Sequence, residues 1–218
     1  MDIQHNLLQI KSQLPKHVTL VAVSKTKPAS DIMEAYNSGQ RIFGENKIQE
    51  MAEKYEELPK DIEWHMIGHV QRNKVKYMAH FVSLIHGVDN LKLLQEVDKQ
   101  AEKHNRIIKC LLQIKIAEED SKFGMSPEEA VNLLQDSSIS NLKHIAIVGV
   151  MGMATFTDDE AQIKTEFSNL KTTFEQLNTF HPMEIISMGM SSDYPLAIEC
   201  GSTMVRVGSS IFGERNYL

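Results

Sequence analysis

Val18-Thr19-Leu20-Val21-Ala22-Val23-Ser24-Lys25 is an apolar, β-branched run of strand length that ends on a lysine, with Lys27 and Pro28 just beyond it. Working outward, runs of the same kind recur at 41–45, 63–68, 81–88, 107–116, 144–151, 184–188 and 204–207. Most of the intervals between them have helical periodicity and polar capping residues, and this alternation means βαβ units. Eight parallel strands can close into a barrel or open into a doubly wound sheet. The count, with no G-x-G-x-x-G after the first run, favours an α/β fold of the (β/α)8 TIM-barrel type. The chain has 218 residues, which suits one such barrel and leaves little room for two domains, so a single domain over 1–218 is expected.

The helices announce their starts. Ser30-Asp31 precedes the Ile32, Ala35, Tyr36 face. Ser126-Pro127-Glu128-Glu129 places a cap, a proline and two carboxylates ahead of Ala130, Leu133 and Leu134. Asp158-Asp159-Glu160 opens a long helix through Phe167, Leu170, Phe174 and Leu177. Residues 2–14 add an extra N-terminal helix whose Ile3, Leu7, Leu8 and Ile10 are spaced to cover one end or side of the barrel. The echo of Gly149-Val150-Met151-Gly152-Met153 in Ser187-Met188-Gly189-Met190-Ser191 is too short to establish a repeat.

Composition narrows the function classes. With 42% apolar and 24% charged residues the chain is expected to pack a core. A net charge of -6, with both signs interspersed, argues against a general nucleic-acid binder and points to a small partner. Two cysteines, Cys110 and Cys200, both in apolar surroundings, suit buried thiols in a reducing compartment. No basic leader follows Met1 and no apolar run reaches the ~18 residues of a membrane span, so a cytoplasmic protein is expected.

Barrel chemistry sits at the C-terminal ends of strands, with phosphate often held by the loops after strands seven and eight. Lys25 stands at such an end, where desolvation would lower its pKa and supply the free amine that imine formation needs. A lysine snorkelling at a loop is the alternative reading. Gly189-Met190-Ser191-Ser192-Asp193 follows strand seven and offers N–H groups and hydroxyls to a phosphate. After strand eight, Gly208 would let the backbone approach a ligand while Ser209 donates to phosphate oxygen. Each loop alone is an ordinary turn, but together they occupy the two positions a barrel uses for phosphate. Arg206, two residues before Gly208, shares its face and points into the barrel mouth. A guanidinium is always charged and only donates, so a pyridine nitrogen held by it would stay unprotonated and be a weaker electron sink.

Five segments then carry a resemblance: Val21-Ala22-Val23-Ser24-Lys25-Thr26-Lys27-Pro28, Phe43-Gly44-Glu45-Asn46, Trp64-His65-Met66-Ile67-Gly68-His69-Val70-Gln71-Arg72-Asn73-Lys74, Ser187-Met188-Gly189-Met190-Ser191-Ser192-Asp193 and Val205-Arg206-Val207-Gly208-Ser209-Ser210-Ile211-Phe212-Gly213. The chain resembles the pyridoxal phosphate homeostasis protein family over nearly its whole length. The resemblance implies a barrel like the alanine racemase N-terminal domain and pyridoxal 5'-phosphate (PLP) held as an internal aldimine, a Schiff base, on Lys25. It implies phosphate around Ser191, Gly208 and Ser209, Arg206 at the pyridine nitrogen, and Asn46 and His65 lining the pocket near the ring. The implied role is PLP homeostasis without established turnover, with the cofactor and apo PLP-dependent enzymes as partners and a monomer as the expected state. His69 stands where proline or a small residue is frequent, and Ser209 where threonine is also common.

Other readings carry less. His65 and His69 lie four apart, but the strand reading and Gly68 deny them a shared helical face, so no metal site is expected. The methionines at 151, 153, 188 and 190 read as soft packing at the barrel mouth. Arg72, Lys74 and Lys76 read as a solvated helix face. Three function classes remain separable. A carrier predicts a yellow protein without amino-acid turnover; a small racemase-like enzyme predicts the same colour with α-proton exchange. A Schiff-base aldolase predicts a colourless protein trapped by borohydride with a sugar phosphate, and leaves Arg206 without a role. Racemases resembling this barrel carry a second, β-rich domain, which is not expected here because the sequence reaches Leu218 right after strand eight and its helix.

Overall fold

In the computed structural model, which describes residues 2–118 and 123–214, eight parallel strands close into a barrel in sequence order. They are β1 (Thr19–Val23), β2 (Ile42–Glu45), β3 (Glu63–Met66), β4 (Leu84–Val88), β5 (Ile108–Gln113), β6 (Ile145–Met151), β7 (Ile185–Ser187) and β8 (Met204–Val207). Closure is made by β1 pairing with β8, Thr19 to Met204 through Ala22 to Val207. Met1 and Leu218, the ends of the expected domain span, lie outside the described residues.

Eight α-helices accompany the strands among the described residues: α1 (Ile3–Gln13), α2 (Ala29–Asn37), α3 (Ile48–Glu57), α4 (Leu91–Lys103), α5 (Pro127–Gln135), α6 (Glu160–Asn178), α7 (Tyr194–Glu199) and α8 (Ser209–Phe212). A 3-10 helix, Arg72–Tyr77, replaces an α-helix between β3 and β4. Alternation along each strand sorts side chains to the two faces. The outward residues Phe43, Trp64, Ile85, Cys110 and Val205 join the large core between barrel and helices. The inward ones Val21, Leu84, Leu111, Met151 and Met204 form a separate apolar cluster inside the barrel.

Caps explain where several helices begin. Ser126 and Glu129 form a complete capping box on α5, and Asp159 accepts from the Ala161 and Gln162 N–H groups at the head of α6. At α2 the expectation fails: the helix starts at Ala29 after Pro28, so Ser30 lies inside it and caps nothing. Leu8 is also half exposed, while Ile3, Leu7 and Ile10 bury the face of α1. The run at 81–88 loses its first three residues, because the Phe81 and Val82 N–H groups bond to Met78 O in a turn. The run at 107–116 ends at Gln113, beyond which Ile114 bridges to Met125. Cys110 is buried but Cys200 is only half-buried. Among the described residues no helix is long and apolar enough to cross a membrane.

Candidate functional site

The C-terminal mouth of the barrel opens into a cavity of about 700 Å³, the size of a cofactor site. Lys25, Asn46, Ser191, Arg206, Gly208 and Ser209 all line it. Lys25 stands one residue past the buried Ser24, on the loop from β1 to α2. Thr26 after it has φ 65, a region that non-glycine residues rarely enter. That turn is braced from outside the barrel. The Thr26 N–H donates to Glu50 Oε1 at 2.5 Å, and Lys54 Nζ donates to Ser24 O, Glu45 Oε1 and Glu50 Oε1 at 2.8, 2.8 and 2.7 Å. Burial lifts the Glu45 carboxyl to about 7, against the pull of Lys54 and the Ser24 hydroxyl. The other lysine of the loop is committed elsewhere, since Lys27 Nζ donates to Phe212 O at 2.7 Å and Glu214 O at 3.0 Å.

On the far wall, Ser191 Oγ accepts from the Gly208 N–H at 3.1 Å, clasping the loop after β7 to the loop after β8. The absence of a side chain at Gly208 serves a contact within the barrel: an added Cβ would sit 3.2 Å from Val23 Cβ and O. Asn46 lines the cavity, and its buried Oδ1 has no hydrogen-bond partner among the described residues. Arg206 is 4% exposed, and burial lowers its guanidinium to about 10. Its Nη1 donates to Ser187 O at 2.9 Å and Ser187 Oγ at 2.6 Å, and its Nη2 to Gly152 O at 3.0 Å.

His65 does not line the cavity. Ile67, the next inward residue of the chain, does, and His65 lies one position deeper, where burial drops its imidazole to about 3. Its Nδ1 is 3.1 Å from His86 Nε2, and His86 Nδ1 is 3.0 Å from Ser187 Oγ. His65 thus reaches the site through His86, Ser187 and Arg206. Sequence reasoning missed His86 and gave Ser187 no role, although strand alternation puts His86 on the same face as Leu84. It also missed Gln113, Phe123 and Phe156 on the cavity rim. His69 lies in the cavity too, stacked on Phe123 at 4.3 Å with Nδ1 3.8 Å from Asp89 Oδ2. Among the described residues no group of three His, Cys, Asp or Glu is placed to hold a metal.

The family model described as "Alanine racemase, N-terminal domain" matches residues 1–216. A pyridoxal phosphate homeostasis protein of Haemophilus influenzae is 40% identical over 233 aligned residues, covering 100% of this chain and 98% of that one. The chain belongs to the pyridoxal phosphate homeostasis protein family. Within that family, the solved structure of PipY from Synechococcus elongatus with PLP bound superposes with a TM-score of 0.88 at 36% identity, covering 97% of this chain and 100% of that one. Beyond the family, an alanine racemase of Clostridium difficile shares the fold, with a TM-score of 0.82 at 14% identity, covering 99% of this chain and 57% of that one.

Proposed function

We propose that this chain binds pyridoxal 5'-phosphate in the barrel-mouth cavity, holds it covalently through Lys25, and serves PLP homeostasis in the cytoplasm as a monomer. The observation that carries the reading is the convergence of Lys25, Arg206 and the Ser191 to Gly208 clasp on one cavity. PipY, a relative over the whole chain, supports it through its PLP-bound structure.

The residues present suit the cofactor. Asn46 Oδ1, buried and unpartnered, offers an acceptor to a ring hydroxyl. Arg206 brings a buried positive donor whose hydrogen bonds to Ser187 and Gly152 go to neutral oxygens, so its charge stays available to an electron-rich ring atom. Ser191, Ser209 and Ser210 bring hydroxyls to the wall where a phosphate would lie. When bound, the cofactor supplies an aldehyde carbon that amines add to and a ring that withdraws electrons. Lys25 Nζ is the nucleophile of the cavity, and its bond to that carbon forms with loss of one water. Apo PLP-dependent enzymes are the partner class that such a store would serve.

The test is an absorbance spectrum of the purified protein with added PLP, followed by borohydride reduction and peptide mapping. A yellow protein with the adduct on Lys25, lost in Lys25→Ala, is expected; an adduct on Lys27 or none would overturn the reading. One observation favours a racemase-like enzyme instead, namely His69 in the same cavity with Asp89 behind it. Exchange of the amino-acid α-proton separates the two.

A further inference from the structure

Barrel interiors are ordinarily filled by bulky branched residues. Here the apolar layer of Val21, Leu84, Leu111, Met151 and Met204 is followed, toward the mouth, by His65, His86, Ser187 and Arg206 from four different strands. All four are buried, at 4%, 0%, 0% and 4% exposure. Polar groups so placed are costly unless paired, and these form one connected path.

The path has a direction. Arg206 can only donate, so Ser187 Oγ accepts from it at 2.6 Å. The serine has one hydrogen to give, and His86 Nδ1 at 3.0 Å is the ring nitrogen beside it. The adjacent guanidinium polarises the hydroxyl toward donating and opposes a second donor at the same oxygen. With Nδ1 accepting, neutral His86 carries its proton on Nε2 and donates to His65 Nδ1 at 3.1 Å. His65 then also carries its proton on Nε2. Burial keeps both rings uncharged, helped by Lys109 at His65 and by Arg206 at His86, and a proton on either ring would further oppose one on the other. Asp193 is the acidic group whose field reaches Arg206.

We propose that Ser187, His86 and His65 are positioning residues, a one-way hydrogen-bond chain that fixes the Arg206 guanidinium at the cavity floor and fixes both imidazoles as Nε2–H tautomers. The role toward a bound cofactor rests on the PLP reading above; the tautomers do not.

Nitrogen-15 histidine NMR on the full chain, before and after addition of PLP, tests it, with His65→Gln and His86→Gln spectra for assignment. Before addition, both rings are expected as neutral Nε2–H tautomers from about pH 5.5 to about pH 8, since both stay uncharged through that range. An Nδ1–H tautomer or a charged ring in that range overturns the chain, whether or not PLP binds. Ser187→Ala is expected to mix the His86 tautomers, to shift the absorbance maximum of bound PLP and to weaken PLP retention about tenfold, the loss of one hydrogen bond to a charged group. Ser187→Thr, which keeps the hydroxyl, is expected to restore all three. Unchanged tautomers and retention in Ser187→Ala overturn the positioning role. Failure of the unmutated chain to bind PLP overturns the functional reading alone, because the tautomer result stands by itself.

Discussion

Lys54→Met removes a cation that makes three hydrogen bonds in a closed space, to Ser24 O, Glu45 Oε1 and Glu50 Oε1. Lys54 and Glu45 are buried, so the change strands a carboxyl whose Oε2 already lacks a partner. Breaking one side of such a pair costs about 3 to 5 kcal/mol, and at about 2 to 4 °C per kcal/mol for a chain of this size Tm should fall by about 6 to 20 °C. The loss depends on pH in a definite sense. Glu45 has an ordinary value of 4.5 and a folded value of about 7, raised chiefly by burial. The folded state therefore holds this proton more tightly, and its contribution is complete below 4.5 and gone once pH has climbed through 7. Without Lys54 the carboxyl rises further, so destabilisation continues above that window. Thermal unfolding followed by circular dichroism should show the gap to the unmutated protein widening from about pH 6 to about pH 8.5. Adding Glu45→Gln should recover much of the loss at the higher pH. A gap independent of pH, or a double variant no more stable than the single, would refute the buried-pair reasoning.

Ser191→Ala with Ser209→Ala should weaken PLP retention at least about tenfold by equilibrium dialysis while leaving Tm within a few degrees, because charge-assisted hydrogen bonds contribute about 1.5 to 3 kcal/mol each. Equal affinity of the unmutated protein for pyridoxal and PLP would count against this cradle. Gly68→Ala puts a Cβ 2.4 Å from Asn46 O and 2.8 Å from Asn46 Cα, so backbone must part. Overpacking of this kind costs about 1 to 3 kcal/mol, and both Tm and PLP retention should drop; an unchanged Tm would show that the loop yields freely. Amino acids in D₂O should exchange their α-proton more slowly than about 1 s⁻¹ by NMR, the low end for ordinary enzymes. Rapid Lys25-dependent exchange that His69→Gln removes would make this a small racemase-like enzyme.

The barrel was legible because its signal is periodic. Eight β-branched runs separated by amphipathic stretches survive errors of two or three residues at each end, such as Phe81 turning away before β4. Caps were legible where a side chain makes them, as at Ser126 and Asp159, and not at α2, where proline geometry alone starts the helix. The residues expected around a phosphorylated ligand reached one cavity because strand ends and the loops after them converge by topology. His65 went one layer too high, since a motif gives adjacency along the chain but not depth within the barrel. His86 escaped notice because a lone histidine in Leu84-Ile85-His86-Gly87-Val88 reads as a core residue until its partners on other strands are known. The Lys54 brace was equally hidden: that a helix lysine reaches beneath the β1 loop follows from packing between α3 and β2, which no local pattern reports.

The two buried cations among the described residues, Lys54 and Arg206, are handled in opposite ways, and the contrast bears on function. Lys54 is neutralised by Glu45 and Glu50 in ion pairs of 2.8 and 2.7 Å, and it acts on the shape of the Lys25 loop from outside the barrel. Arg206 instead donates to a hydroxyl and two carbonyl oxygens, and the imidazoles behind Ser187 stay neutral. A carboxylate in their place would satisfy the same N–H groups and cancel the charge. Neutral acceptors satisfy the donors while leaving the positive field directed at the cavity, which favours an electron-rich ligand atom and disfavours its protonation. With neither His65 nor His86 taking up a proton near neutrality, the path behind Arg206 leaves that field unchanged over the physiological range. On the proposed reading, a ring held against that field would gain little as an electron sink, which suits retention of the cofactor better than turnover on it.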